Sequence, residues 1–230
     1  MTSLVDSSID AISEAEFQDL KVTCKTKEAT VSLEAKSELI NSILKEVDLF
    51  DPLELEGLDP KNSLGLYRPV SGNEKLTLRP LKSGDFHRGY VKLLSQLSLA
   101  GDIDEDKFLN AFSLMKRCPE TYYVYVVESP ADGGRVIATA TVIMEQKFLR
   151  GCTKRGFLED VVVCDSHRNR QLGKFMIAVG QELSKRKNAY KFTLNCRDDM
   201  VPFYAKLGFV SEPQNDNFMS MRFDTRPNPV

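Results

Sequence analysis

The chain has 230 residues, 42% hydrophobic and 28% charged, enough to bury one substantial core. Its net charge of −2 argues against a general nucleic-acid binder, which needs a basic excess to displace counterions from phosphates, so any basic site is local. The five cysteines are scattered, form no Cys-x-x-Cys pair and have only His87 and His167 as companions, a poor metal set and a poor disulfide framework, so no metal is expected.

The opening MTSLVDSSIDAISEAEF is acidic and serine-rich rather than basic and apolar. No stretch of about 18 apolar residues follows anywhere. The expectation is a reduced, cytoplasmic protein without an integral membrane segment. Residues 1–74 form an N-terminal extension: Leu33, Ile40, Ile43, Leu44 and Val47 lie close to one helical face, then Pro52, Gly57, Pro60, Gly65, Pro69 and Gly72 mark a linker or a wrapping arm. A regulatory tail, or a helix packed on its own domain, is preferred to a partner-docking helix.

From Lys75 the elements come quickly and in mixed order. KLTLRPL alternates like a strand and is ended by Pro80. SGDFHRGYVKLLSQLSLAG opens on residues that can cap and reads as one helix up to Gly101. DIDEDKFLNAFSLMKRC is a second helix, with acids in its first turn and Lys116 and Arg117 in its last, as the helix dipole prefers. TYYVYVVE and VIATATVIME are strands joined through Asp-Gly-Gly, a strong hairpin signal. GFLEDVVVC reads as a buried strand, KFMIAVGQELSKRKN as a helix, AYKFTLNC as a strand, DDMVPFYAKLG as a helix and FMSMRF as a last strand. The sum is an α/β protein with a mixed central sheet and flanking helices.

RNRQLGKFM, residues 168–176, combines a basic turn with a helix start. Leu172, Met176, Val179 and Leu183 recur at helical spacing, so the helix begins close to Gln171, directly after the strand EDVVV. A helix N-terminus offers unpaired N–H groups and a partial positive charge. Gly173 removes a side chain where a phosphate-bearing ligand would approach, with Arg168, Arg170 and Lys174 at the rim. A glycine there can equally be a packing device, and the basic residues a solvated face. Neither a Walker loop nor a three-glycine dinucleotide turn is present.

The strand, Arg/Gln-x-x-Gly-x-Gly/Ala, helix arrangement around residues 168–173 resembles the acyl-CoA signature of the GNAT acetyltransferase superfamily, with Gln171 in place of the first glycine. Adding EDVVV, QLGK, YKFTLNC, FYAKLGF, LRPL and MSMRF, the chain from about Lys75 to Asp224 is similar to the glucosamine 6-phosphate N-acetyltransferases of that superfamily, with residues 225–230 a tail. The resemblance implies a GNAT fold with a splayed strand pair. It also implies transfer of acetyl from acetyl-CoA to the amine of glucosamine 6-phosphate, within UDP-N-acetylglucosamine biosynthesis.

By the same resemblance, Val161, Val162 and Val163 flank the pantetheine, and Arg168, Asn169, Arg170, Gln171, Leu172, Gly173 and Lys174 hold the pyrophosphate. Glu159 and Asp160 meet the sugar hydroxyls and amine. Tyr204 is the FY-signature tyrosine, Tyr190 lines the sugar site, and Ser98, Lys147, Arg150, Lys191 and Arg222 bind the sugar phosphate. Asn195 stands where relatives often carry an acid. A homodimer that exchanges its last strand, so that Arg222 completes the partner's site, is also implied; VSEPQNDN with Pro213 would be the hinge.

The chemistry agrees with these residue types. Acetyl transfer to an amine needs a neutral amine, a donor for the carbonyl oxygen and a proton for the leaving thiolate. A thiol titrates at about 8.5, so a tyrosine hydroxyl is sufficient assistance and direct attack is expected, without a covalent cysteine. Acids inside an apolar strand are costly unless used or paired. Tyr204 alone could be a core-edge aromatic, the cations individually could be surface charges, and Arg222 could protect an edge strand; together the cations match what a phosphomonoester requires. Cys164 and Cys196 read as small buried hydrophobes. Two alternatives stand beside this reading, a GNAT enzyme for another amine and a non-catalytic acyl-CoA-binding protein.

Overall fold

The computed structural model describes residues 46–58 and 76–212. The expected helix before Val47, the rest of the proline-rich stretch, the hinge from Pro213, the last strand and Arg222 lie outside the described residues. Five strands form one sheet in sequence order: β1 (Thr77–Pro80), β2 (Tyr122–Ser129), β3 (Arg135–Gln146), β4 (Lys154–Val163) and β5 (Ala189–Leu194). The first four run antiparallel, and β5 runs parallel to β4. A parallel pair needs a long crossover, and a helix, α3 (Leu172–Arg186), supplies it. This is the mixed sheet with flanking helices expected of a GNAT fold.

β2 and β3 lie at the centre of the sheet and are covered on both faces, so consecutive residues such as Val126 and Val127, or Val136 and Ile137, are almost completely buried. α3 presses on the sheet so closely that a Cβ at Gly180 would lie 2.8 Å from the Tyr125 hydroxyl and 3.0 Å from Phe192 Cζ. Gly180 is therefore a packing glycine. The Tyr125 hydroxyl, buried here, donates to the Met176 carbonyl at 2.7 Å and ties the helix to β2. Gly133 and Gly134, both at positive φ, turn β2 into β3 as the Asp-Gly-Gly sequence requires.

The single helix expected from Ser83 to Gly101 is instead broken. A 3-10 turn, Ser83–Phe86, is followed by a short α1 (Tyr90–Leu94), because Gly89 takes a left-handed conformation with φ 82°. The break turns the Arg88 carbonyl towards β3, where it accepts from the Val136 N–H at 3.0 Å. α2 (Glu105–Lys116) forms as its caps predict, with Asp104 accepting from the Lys107 N–H and Phe108 and Phe112 buried. The last described helix is α4 (Val201–Ala205), entered through a 3-10 turn, Asp198–Met200.

Of the two readings left open for the proline-rich stretch, residues 46–58 take the wrapping one. Leu49 is buried and its N–H donates to the Leu81 carbonyl at 2.8 Å, and Phe50 packs edge-on against Tyr123. Arg186 at the end of α3 donates to the Glu54 carbonyl at 2.9 Å, and Lys187 pairs with the Glu54 carboxylate. Cys164 is buried as expected, but Cys196 is exposed, because β5 ends at Leu194 and the chain leaves the sheet there. Among the described residues no helix is long and apolar enough to cross a membrane, and no group of three or more His, Cys, Asp or Glu is placed to hold a metal.

Candidate functional site

The site starts from an irregularity in β4. Glu159 stands opposite Thr141 and Val162 opposite Thr139, so Asp160 and Val161 share the single partner position Ala140. This is a β-bulge, and Asp160 occupies it with φ 51°, in the left-handed region that costs a non-glycine residue about 1 kcal/mol. The parallel ladder to β5 stops at Leu158 and Leu194, just before the bulge. On that side the backbone of residues 159–163 has no strand partner among the described residues, and a backbone polar group needs one. The strand read as simply buried is thus open along half its length. The opening carries Val161, Val162 and Val163 as a ready-made edge for an extended ligand with amide groups.

Next to this edge lies the start of α3. Gln171 precedes the helix with φ 60° and its side chain does not cap the first N–H groups, and Asn169 is also at positive φ, 64°. Gln171 thus adopts the glycine-like backbone of the position it fills. Gly173 decides between packing and ligand approach. A Cβ there would meet only Val163 Cγ2, at 3.9 Å, an ordinary contact, whereas Gly180 and Gly156 would clash. The chain's own packing does not require a glycine at 173, so the room is there for something else. Leu172 is buried and anchors the turn, and Lys174 is half-buried. Arg168 is held by Asp165 at 2.6 Å and donates to the Val163 carbonyl at 3.4 Å, so it is already aimed rather than free at the rim. The donor set fits a pyrophosphate-bearing ligand: the N–H groups of a helix start, a space without a side chain, and cations.

The two acids sit at the mouth of the opening. Burial pushes the Glu159 carboxyl up, and the neighbouring Asp160 charge adds to this. Asp160 is exposed along one edge, yet enough protein surrounds its carboxyl that desolvation raises it as well. Tyr90, which the sequence reading treated only as part of a helix, lies buried close by; its hydroxyl bonds Thr139, and burial followed by the Asp160 charge keeps it protonated. Tyr204 on α4 is half-buried, edge-on to Phe203 at 5.1 Å and Phe209 at 5.8 Å. Burial, then Cys196 just beyond β5, raises its phenol, so it is a proton donor at neutral pH. Asn195 is exposed at the C-terminal end of β5. Ser98 is exposed two residues after Gln96, whose side-chain oxygen accepts from the Asp165 N–H at 2.9 Å, which brings the Ser98 loop to the same end of β4.

The remaining residues gather elsewhere. Lys191 is paired with Arg155 across the β4–β5 ladder, Arg150 lies over the Tyr190 ring at 4.9 Å, and Lys147 pairs with Glu145, which also holds Arg155 at 2.7 Å. Lys191 has Glu212 at 3.7 Å. These four sit at the N-terminal end of β4, roughly 13 Å of strand from Glu159. Within one chain the described cations and the acids therefore do not converge, and nothing in the local sequence pattern reveals it.

A profile of the Acetyltransferase (GNAT) family matches residues 91–209. A probable glucosamine 6-phosphate N-acetyltransferase of Drosophila melanogaster is 37% identical over 190 residues, covering 80% of this chain and 86% of the relative. Glucosamine 6-phosphate N-acetyltransferase 1 of Oryza sativa subsp. japonica is 36% identical over 139 residues, 60% of this chain and 84% of the relative. The crystal structure of glucosamine-6-phosphate N-acetyltransferase from Arabidopsis thaliana superposes with a TM-score of 0.61 at 32% identity, covering 66% of this chain and 100% of that one.

Two consequences of the geometry can be measured. Gln171→Gly removes the left-handed penalty and is expected to raise the unfolding free energy by about 0.5–1 kcal/mol in urea titration, while Gln171→Val lowers it. For Glu159 the folded carboxyl is raised above its ordinary 4.5, so the native state holds the proton longer and wild-type stability falls as pH rises through that value and the raised one. Glu159→Gln is therefore expected to gain stability over the wild type from the carboxylate range up to neutral pH, with the gap closing in acid, as followed by denaturant midpoints across pH.

Proposed function

Because this chain belongs to the GNAT acetyltransferase family, we propose that it transfers the acetyl group of acetyl-CoA to the amine of glucosamine 6-phosphate, releasing N-acetylglucosamine 6-phosphate and CoA within UDP-N-acetylglucosamine biosynthesis. The observation that carries the reading is the open edge of β4 beside the side-chain-free space at Gly173, with two raised carboxyls at its mouth.

Acetyl-CoA supplies a thioester whose carbonyl is open to attack. The backbone of Val161 to Val163 pairs with the pantetheine amides as a missing strand would, and the amides at the start of α3, with Arg168, Arg170 and Lys174, take the pyrophosphate. A β4 N–H left unpaired by the bulge donates to the carbonyl oxygen as negative charge develops there. Glu159 and Asp160 orient the sugar hydroxyls and accept from the amine, which attacks as the neutral base. The Asn195 backbone carbonyl just past β5 accepts a hydrogen bond from a second amine N–H, so an amide side chain at this position does no harm. Tyr204 keeps its proton at neutral pH, the role its raised phenol suits, and gives it to the sulfur as the C–S bond breaks; the proton that the amine nitrogen sheds on acylation returns through water and restores the phenol.

The phosphate end of the acceptor favours a homodimer. Lys147, Arg150, Tyr190 and Lys191 stand at the far end of β4 from the acids of their own chain, so a second copy is the economical source of cations, with Arg222 contributed through an exchanged last strand. A different amine acceptor, or acyl-CoA binding without turnover, would leave this basic group without use.

The test is CoA thiol release from acetyl-CoA with glucosamine 6-phosphate or with unphosphorylated glucosamine. Turnover is expected to require the phosphate, to fall roughly 100-fold in kcat for Tyr204→Phe, and to collapse for Arg222→Ala. Acetyl-CoA binding with no turnover on either sugar would reject the acceptor.

A further inference from the structure

His167 lies next to Arg168, ends the 3-10 turn Asp165–His167 and is only 7% exposed. Its Nε2 is 3.2 Å from Asp132 Oδ2, in the β2–β3 hairpin, and its Nδ1 is 2.9 Å from Ser166 Oγ. Ser166 Oγ in turn lies 3.3 Å from Cys164 Sγ. A carboxylate can only accept, so in the neutral ring Nε2–H donates to Asp132 and Nδ1 accepts from the Ser166 hydroxyl. The Cys164 thiol then donates to Ser166 Oγ. One directed chain runs from the end of β4, through the turn, to a hairpin some 30 residues away in sequence.

We propose that His167 is a positioning residue that seats the anion-binding turn, residues 165–173, by anchoring it to the β2–β3 hairpin; the inference rests on the acetyl-CoA reading above. The turn needs an anchor because its backbone is irregular, with Asn169 and Gln171 both at positive φ. Its other braces act earlier in the loop: the Gln96 side chain accepts from the Asp165 N–H, and the His167 N–H donates to the Cys164 carbonyl at 2.8 Å. Beyond His167, Arg168 is tied among the described residues only to neighbours in the chain, Asp165 and Val163, whereas His167 ties the turn to another element, the β2–β3 hairpin. It is not a catalytic residue, since both ring nitrogens are engaged and the ring is closed off from solvent. Nor is the pair a large stabiliser, because the Asp132 side chain is 40% exposed and water competes for it. Its effect is on where the pyrophosphate ligands stand.

The test compares two acyl donors that differ in the part this turn would hold. Binding of acetyl-CoA, and of S-acetylpantetheine, which lacks the pyrophosphate, is measured by calorimetry and by competition for the unaltered protein, His167→Ala, Asp132→Ala and Asp132→Asn. His167→Ala is expected to weaken acetyl-CoA about tenfold while S-acetylpantetheine is unchanged, Asp132→Ala to follow in the same direction, and Asp132→Asn, whose amide oxygen still accepts, to stay near the unaltered value. Should His167→Ala fail to fold, Asp132→Ala on its half-exposed hairpin carries the comparison. Acetyl-CoA affinity within twofold of the unaltered protein in the Ala variants, or an equal loss for both donors, would overturn the proposal. Absence of acetyl-CoA binding by the unaltered protein would overturn the functional reading and this inference with it.

Discussion

The site depends on one extra residue in β4. With Asp160 and Val161 sharing a single position opposite Ala140, the strand bends, and the ladder to β5 that began at Lys154 ends at Leu158. A regular strand would have buried the backbone of residues 159–163 against β5 and left no edge to offer. The bulge exposes that edge beside the start of α3, which must follow β4 to make the parallel crossover. A strained aspartate and an open strand edge are consequences of one local choice, and the parallel crossover sets a helix N-terminus beside them.

The strain is concentrated where it is used. Asp160, Asn169 and Gln171 all hold positive φ within one strand-to-helix transition. At about 1 kcal/mol each, this is affordable only because the surrounding packing is tight: α3 lies so near the sheet that Gly180 has no room for a Cβ. The two glycines of α3 therefore do opposite things. Gly180 lets the helix touch the sheet, and Gly173 keeps a space that the chain itself leaves unfilled. The cations at the other end of β4 show a different economy, each engaged by Glu145, Glu212 or the Tyr190 ring within its own chain, so an incoming phosphate would exchange with these partners rather than meet bare charge.

Much of this was legible in the residues. Alternation marked β1, Asp-Gly-Gly marked the hairpin of β2 and β3, and acids before and bases after marked α2. The anion site at the head of α3 followed from strand, basic turn and glycine in succession, and Glu159 with Asp160 stood out as acids in an apolar run. What failed was non-local. Gly89 breaks the expected helix because Arg88 has a partner on β3, and a lone glycine in a helical pattern does not announce that. Which of the two acids takes the left-handed conformation depends on the register with β3. Cys196 is exposed because β5 stops two residues earlier, and His167 gains its meaning from Asp132, far away in sequence.

The central claim is that the bulge leaves β4 with an edge that an acyl donor completes. Amide hydrogen exchange resolved along β4 and α3, with and without acetyl-CoA, addresses it directly. The account predicts that the amides of residues 159–163 that face away from β3, and the first amides of α3 at residues 172–174, exchange fast in the free protein and become protected on binding, while those of residues 154–158, already paired to β5, change little. Binding of acetyl-CoA that leaves both stretches unprotected would contradict it.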